Sequence, residues 1–226
     1  MNDVVKLSGA RALIAKKMCE SLQNTAQLSY HCDVDASSMV AAKNSWRAAG
    51  FNSVSFEDLI VEALARVLAE FKVFNGRLGE RCLELVEEIN ISTAISSPNG
   101  LVAPAIFGVQ EKSVEQIAKE RKDLIERAST NKLTIPEMTG GTFTISNLGI
   151  TPVKYFTPII NYPQVAILGL GQITKEARVA DDDSVHVCPV MGLSMTADHQ
   201  YIDGADAGAF LDRLKQVLES DLTLPA

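Results

Sequence analysis

Long apolar runs, paired cysteines and clustered basic residues are all missing from this 226-residue sequence. Although 46% of its residues are hydrophobic, no run of eighteen or more occurs, so no membrane-spanning helix is expected. Met1-Asn2-Asp3-Val4-Val5 lacks the basic region and apolar stretch of a secretory leader. The four cysteines (Cys19, Cys32, Cys82, Cys188) stand far apart, with no Cys-x-x-Cys pair. That argues against a disulfide or metal framework, and for free thiols in a reducing compartment. Basic residues number 21 against 28 acidic ones, a net charge of −7, which speaks against general affinity for nucleic acid. Dinucleotide-binding Gly-x-Gly-x-x-Gly, phosphate-binding Gly-x-x-x-x-Gly-Lys-Ser/Thr and Gly-x-Ser-x-Gly elbows are missing as well. Linker-like tracts and internal repeats are also lacking, so one domain over residues 1–226 is the economical reading.

What is present is an alternation of helical and strand patterns. Leu13, Ile14, Met18 and Leu22 fall at helical spacing within 11–22. Residues 28–36 read as a strand. Ser37 then caps a helix running to Ala49, stopped by Gly50. Ser55 followed by Asp58 forms a capping-box-like start for the next helix. Two strands, 86–95 and 101–107, flank the turn signal Ser97-Pro98-Asn99-Gly100. A helix follows over 113–129. Strands are expected at 141–146, 165–170, 173–179 and 185–195, and a helix at 205–218. This mixture suits a mixed-sheet α/β sandwich better than a purely parallel doubly wound fold.

The three histidines can be weighed singly. His31 sits within a strand pattern and reads as structural. His186 follows the acidic turn Asp181-Asp182-Asp183-Ser184 and reads as a solvated loop-edge residue. His199 follows the apolar strand Val190 to Met195, is flanked by Asp198 and Asp203, and precedes Gly204 and a helix. A histidine at such a junction titrates near neutrality and can act as a general base. By spacing alone the motif has two readings: a catalytic base, or a turn in which Asp203 and Gly204 simply cap the last helix. Gly140-Gly141-Thr142-Phe143-Thr144-Ile145-Ser146-Asn147-Leu148-Gly149 also has two. In a half-buried strand, Thr144 and Ser146 share the face opposite Phe143 and Ile145, where a hydroxyl could serve an oxyanion. Otherwise the segment is an ordinary Thr-rich strand ending in a turn.

Taken in order, these segments resemble the catalytic domain of the dihydrolipoamide acyltransferase component of 2-oxo acid dehydrogenase complexes. The resemblance rests on Gly9-Ala10-Arg11, Ile14 to Met18, Ser21 to Leu28 and Asn99 to Pro104. It continues through Gly140 to Gly149, Thr157 to Asn161, Gln164 to Gly169 and Asp198 to Gly204. It implies a fold of chloramphenicol acetyltransferase type, trimeric, with active sites between subunits. The substrates so implied are coenzyme A and a lipoyl group carried on a domain that this sequence lacks, as it lacks a peripheral-subunit-binding domain; no metal is implied. His199 would be the general base, Ser146 the oxyanion donor and Asp203 a holder of the loop. Lys43, Ser55, Ser96 and Asn147 align near the coenzyme A contacts. The implied partners are two further copies of the chain, a larger cubic or dodecahedral core, lipoyl domains and the dehydrogenase components. The implied location is bacterial cytoplasm, with the mitochondrial matrix as the lesser alternative. The sequence departs from the family at Gln200, where an arginine is usual, and at Ala26-Gln27, where Pro-His is common. Two other functions remain open: acyl transfer to a small-molecule hydroxyl or amine, and a non-catalytic structural core.

Overall fold

The computed structural model describes residues 5–98, 100–180 and 182–225. Asn99 of the expected turn and Asp181 of the acidic turn lie outside the described residues, as do residues 1–4 and Ala226. Helix α1 (Gly9–Asn24) leads into strand β1 (Gln27–Asp35), α2 (Ser37–Ala48) and α3 (Phe56–Glu70). Short strands follow: β2 (Gly76–Leu78), β3 (Leu83–Leu85), β4 (Ile91–Thr93), β5 (Ile95–Ser97), β6 (Gly100–Val102) and β7 (Ala105–Ile106). The chain then forms α4 (Val114–Ser129), α5 (Ile135–Thr139), β8 (Phe143–Asn147), β9 (Ala166–Val179), β10 (Val185–Asp198) and α6 (Gly204–Ser220).

Six strands form one sheet in the order β1-β10-β9-β8-β4-β7. The β8 strand runs parallel to β9 and β4, whereas the remaining pairs are antiparallel. The expected mixed sheet is therefore present. One face carries the apolar positions of each strand, among them Val34, Phe143, Ile145, Leu168, Leu193 and Met195, all fully buried. Helices α2, α3, α4 and α6 cover this face, with Phe210 stacked on Phe74 at 4.2 Å and on Phe143 at 6.2 Å.

The other face is covered differently. Chain 148–164, which forms no named helix or strand, lies across it, and bare backbone makes this possible. A side chain at Gly171 would meet the Lys154 carbonyl at 2.0 Å, and one at Gly192 would meet it at 2.3 Å. Polar strand residues lie beneath this cover and bond to it or to one another. Thr144 donates to Gln164 at 2.6 Å, Ser29 pairs with Thr196 at 2.7 Å, and Ser194 bonds the His31 ring at 2.9 Å.

Several boundaries differ from the sequence expectations. Ser37 opens α2 but does not cap it; Ala36 occupies the N-cap, and Asp35 accepts from the Ser37 N–H at 2.8 Å instead. The strands expected at 165–170 and 173–179 are one, since a bulge opposite Gly192 carries β9 past Gly171. The pair expected at 86–95 and 101–107 is broken at Ala94 and at Ala103-Pro104, into β4/β7 within the large sheet and the small hairpin β5/β6. His186 lies inside β10 opposite Arg178, still exposed. The α1 helix forms as its spacing suggests, yet Leu13 (71% exposed) and Leu22 (53%) do not enter the core.

Candidate active site

His199 stands where β10 ends, on a turn held by many bonds. Its backbone N–H donates to Ala26 O at 2.8 Å, and the N–H groups of Tyr201 and Ile202 both donate to Asp198 O at 3.0 Å. Asp198 is fully buried and accepts from Ala26 N at 2.9 Å and Gln200 N at 3.2 Å. Gln200 fills the place of the usual arginine without its charge. Its side-chain amide donates to both Asp198 oxygens, at 3.2 and 3.1 Å, and to Asn24 O at 3.1 Å. The loop support that the Gln200 substitution puts in question is thus supplied by amide hydrogen bonds. The His199 ring itself is exposed and bonds nothing among the described residues.

Asp203 is the N-cap of α6, accepting from Ala205 N at 2.8 Å and Asp206 N at 3.0 Å. Those two backbone bonds, with a smaller contribution from His199, hold its carboxyl below the usual range. The capping reading of Asp203 is therefore correct as structure. Nearby, the Tyr30 hydroxyl has no partner among the described residues. Burial and then the Asp203 charge raise its pKa.

Ser146 lies near the end of β8. Phe143 and Ile145 face the core, and Thr144 and Ser146 face outward, as the alternation requires. Thr144 is tied down by Gln164 and Asn161. The Ser146 hydroxyl is half-buried and unbonded among the described residues. It opens on an apolar groove of about 360 Å³, walled by Ile14 and Met18 of α1, Leu101, Met138, Pro158 and Ile167. Lys17 also lines this groove, its pKa lowered by burial.

Asn147, one residue on, points to the opposite face and into a second groove of about 410 Å³. Lys43, Ser55 and Asn147 line it together, with Gly171, Gln172 and Ile173. Ser96, in the hairpin β5/β6, lies elsewhere and is exposed. Sequence reasoning missed Glu57 and Arg121 in this second groove. Arg121 donates to the buried Asp58 at 2.6 and 2.9 Å and to Ser55 Oγ at 2.9 Å, so Ser55 serves the capping box and this ion pair at once. Asn147 donates to Glu57 at 2.8 Å. Arg121 sits on the outer face of a helix pattern, where charge is ordinary, and only the packing of α3 on α4 marks it.

Within one protomer His199 and Ser146 are far apart. Ser146 is in register with Gly169, and Gly169 with Ser194. His199 lies five residues beyond Ser194, which places it roughly 16 Å along the sheet and about 10 Å across it from Ser146. Among the described residues, three potential metal donors (Asp35, His186, Cys188) have donor atoms within 4.8 Å of one another, near the other end of β10.

Residues 1–225 match the family model of the 2-oxoacid dehydrogenases acyltransferase catalytic domain. The chain belongs to this family. The dihydrolipoyllysine-residue acetyltransferase component of the Rickettsia felis pyruvate dehydrogenase complex is 35% identical over 221 residues. That match covers 96% of this chain and 53% of the relative, so the chain spans about half the length of the curated relatives it matches. Among solved structures, the cubic core of the pyruvate dehydrogenase multienzyme complex superposes with a TM-score of 0.92 at 30% identity. A structure determined to study one serine, one histidine and one asparagine in the catalytic mechanism of Azotobacter vinelandii dihydrolipoamide acetyltransferase gives the same values. Both alignments cover 97% of this acyltransferase-family chain and 92% of theirs. A chloramphenicol acetyltransferase, 20% identical with a TM-score of 0.57, covers 97% of this chain and is itself covered completely, showing the shared fold.

Proposed function

We propose that this chain transfers an acyl group between dihydrolipoamide and coenzyme A, at a site completed by a second copy of itself. The separation of His199 from Ser146 carries this reading. Two bare reactive groups stand on rigid supports, too far apart to act together within one protomer. A trimer, the arrangement that the family resemblance implies, would bring the His199 turn of one copy to the Ser146 strand end of its neighbour. The exposed Leu13 and Leu22 of α1 offer apolar surface for such contacts. The catalytic study of the Azotobacter enzyme concerns a serine, a histidine and an asparagine four residues beyond it. Asp203 stands four residues beyond His199 here.

The chemistry follows from these groups. His199 accepts the thiol proton of coenzyme A, whose intrinsic pKa of about 8.5 leaves little thiolate at neutral pH. The thiolate attacks the acyl-lipoamide carbonyl. Ser146 donates to the tetrahedral oxyanion, an interaction that typically contributes about 100- to 1000-fold in rate. Collapse expels the dihydrolipoamide thiolate, which recovers the proton from the imidazolium. Coenzyme A would occupy the groove of Lys43, Ser55 and Asn147, and the dihydrolipoamide arm the apolar groove on the other side of β8, so the two meet at Ser146. Ser96 would reach coenzyme A only if another copy brought it there. The lipoyl domain and the dehydrogenase components would be partners on other chains or segments, around a core of trimers or larger cubic or dodecahedral size. No described helix is long and apolar enough to cross a membrane; the bacterial cytoplasm would be the setting that the family resemblance implies.

Mixed oligomers test the reading. His199→Ala and Ser146→Ala variants should each be nearly inactive in transfer from acetyl-CoA to dihydrolipoamide. Co-refolded in equal amounts, they should recover activity, because about a quarter of the shared sites regain both groups. A mixture no more active than its parents would refute the shared site. Alcohol acceptors replacing dihydrolipoamide would give turnover only if the small-molecule alternative held.

A further inference from the structure

One carboxylate in the polar groove has no part in the acyl transfer described above. Glu57 stands in the first turn of α3, and its Oε2 accepts from Asn147 Nδ2 at 2.8 Å. The Asn147 carbonyl oxygen accepts from Gly149 N at 2.8 Å, so this amide is oriented from both ends. Glu57 lines the groove, and its Oε1 has no hydrogen-bond partner among the described residues. The charges around it come from three helices. Arg121 of α4 is engaged by Asp58 of α3, and Lys43 of α2 lies with its Nζ 4.2 Å over the Phe56 ring, in no ion pair among the described residues. Among the described residues, the groove thus has a cation without an ion pair on its α2 wall and a carboxylate oxygen without a hydrogen bond beside the end of β8.

Coenzyme A is polarised in a matching way. Its phosphates are anionic, and its pantetheine arm is neutral with two amide N–H donors. Coulomb repulsion keeps phosphates from Glu57 and favours them near Lys43, whereas an N–H donor fits a free carboxylate oxygen. We propose that Glu57 is a binding determinant for coenzyme A, its Oε1 accepting an amide N–H of the pantetheine arm while the phosphates lie toward Lys43. This inference rests on the proposed acyl transfer, and it adds the direction in which the substrate lies.

Burial pushes the Glu57 carboxyl above the ordinary range, against the Asn147 bond and the Arg121 charge. Only the ionised oxygen is a full acceptor. Affinity for coenzyme A should therefore weaken as pH falls through this raised pKa, and in that range binding should expel a fraction of a proton.

Calorimetric titration of the intact oligomer with coenzyme A, in buffers of different ionisation enthalpy, measures both effects. Glu57→Gln keeps an oxygen for Asn147 but turns an amide NH₂ toward the groove; Glu57→Ala removes both. Each should weaken binding about tenfold and abolish the proton release, and the loss in acyl transfer should appear as a raised KM for coenzyme A. Wild-type affinity in Glu57→Gln, with loss only in Glu57→Ala, would overturn the inference, because Glu57 would then serve Asn147 alone. Binding by the wild type without proton release would overturn it too. A wild type that does not bind coenzyme A at all would defeat the acyl-transfer reading as well, and so is distinguishable from either.

Discussion

His199 and Ser146 are both bare groups on firm supports, but the supports differ in kind. Ser146 belongs to β8, a strand flanked on both sides by parallel neighbours, so backbone hydrogen bonds hold it. His199 rides on a turn at the end of β10, beside the first residue of edge strand β1, where single side chains do the holding: Asp198 binds Ala26 and Gln200, and Gln200 binds Asn24. A strand in mid-sheet has many equivalent supports, whereas a turn has a few particular ones. Function at the turn should therefore be the more easily damaged by substitutions that leave the reactive group itself in place.

The largest expected effect removes the base outright. His199→Ala should lower acyl transfer by about 10³-fold or more, with the oligomer unchanged by sedimentation. Activity within a few-fold of wild type would end the general-base assignment. A smaller effect separates the two supports directly. Asp198→Ala deletes a buried carboxylate and leaves the Ala26 and Gln200 donors unpaired; it should cost about 2–3 kcal/mol of stability and reduce kcat at least tenfold. Ile145→Val, adjacent to Ser146, should cost about 1 kcal/mol with kcat unchanged. Equal losses of kcat in the two variants, read beside their denaturation midpoints, would abolish the distinction between strand and turn. The smallest effect concerns the departure from the family. Gln200→Ala should lower kcat only a few-fold, because Asp198 keeps its bond from Ala26; a loss as large as that of Asp198→Ala would make Gln200 the principal support.

The helix-covered half of the molecule was legible at the level of single residues. Ser55 forms the capping box that its spacing suggests, and Phe143 and Ile145 alternate with Thr144 and Ser146 as a half-buried strand must. The amphipathic period carries this information because burial of one face follows directly from it. The outer face was not legible. Thr196, Ser194 and Thr144 are buried polar residues, covered by a segment with no regular period, and Gly171 and Gly192 admit that segment through spatial closeness to Lys154. Leu13 and Leu22 show the converse: helical spacing foretold α1 but not that these apolar side chains stay exposed, outside the core.

By itself the sequence determined the candidate chemistry: an imidazole at His199, a hydroxyl at Ser146, and an ordered set of motifs that identify the family. Tertiary structure alone decided how those groups are disposed. Strand register sets His199 and Ser146 roughly 16 Å apart along the sheet, and β8 sends Ser146 and Asn147 into separate grooves. Residue type governs what a side chain can do, and local period governs which face it takes. Which residues meet across that face depends on pairings between segments distant in the chain, and no local pattern encodes those.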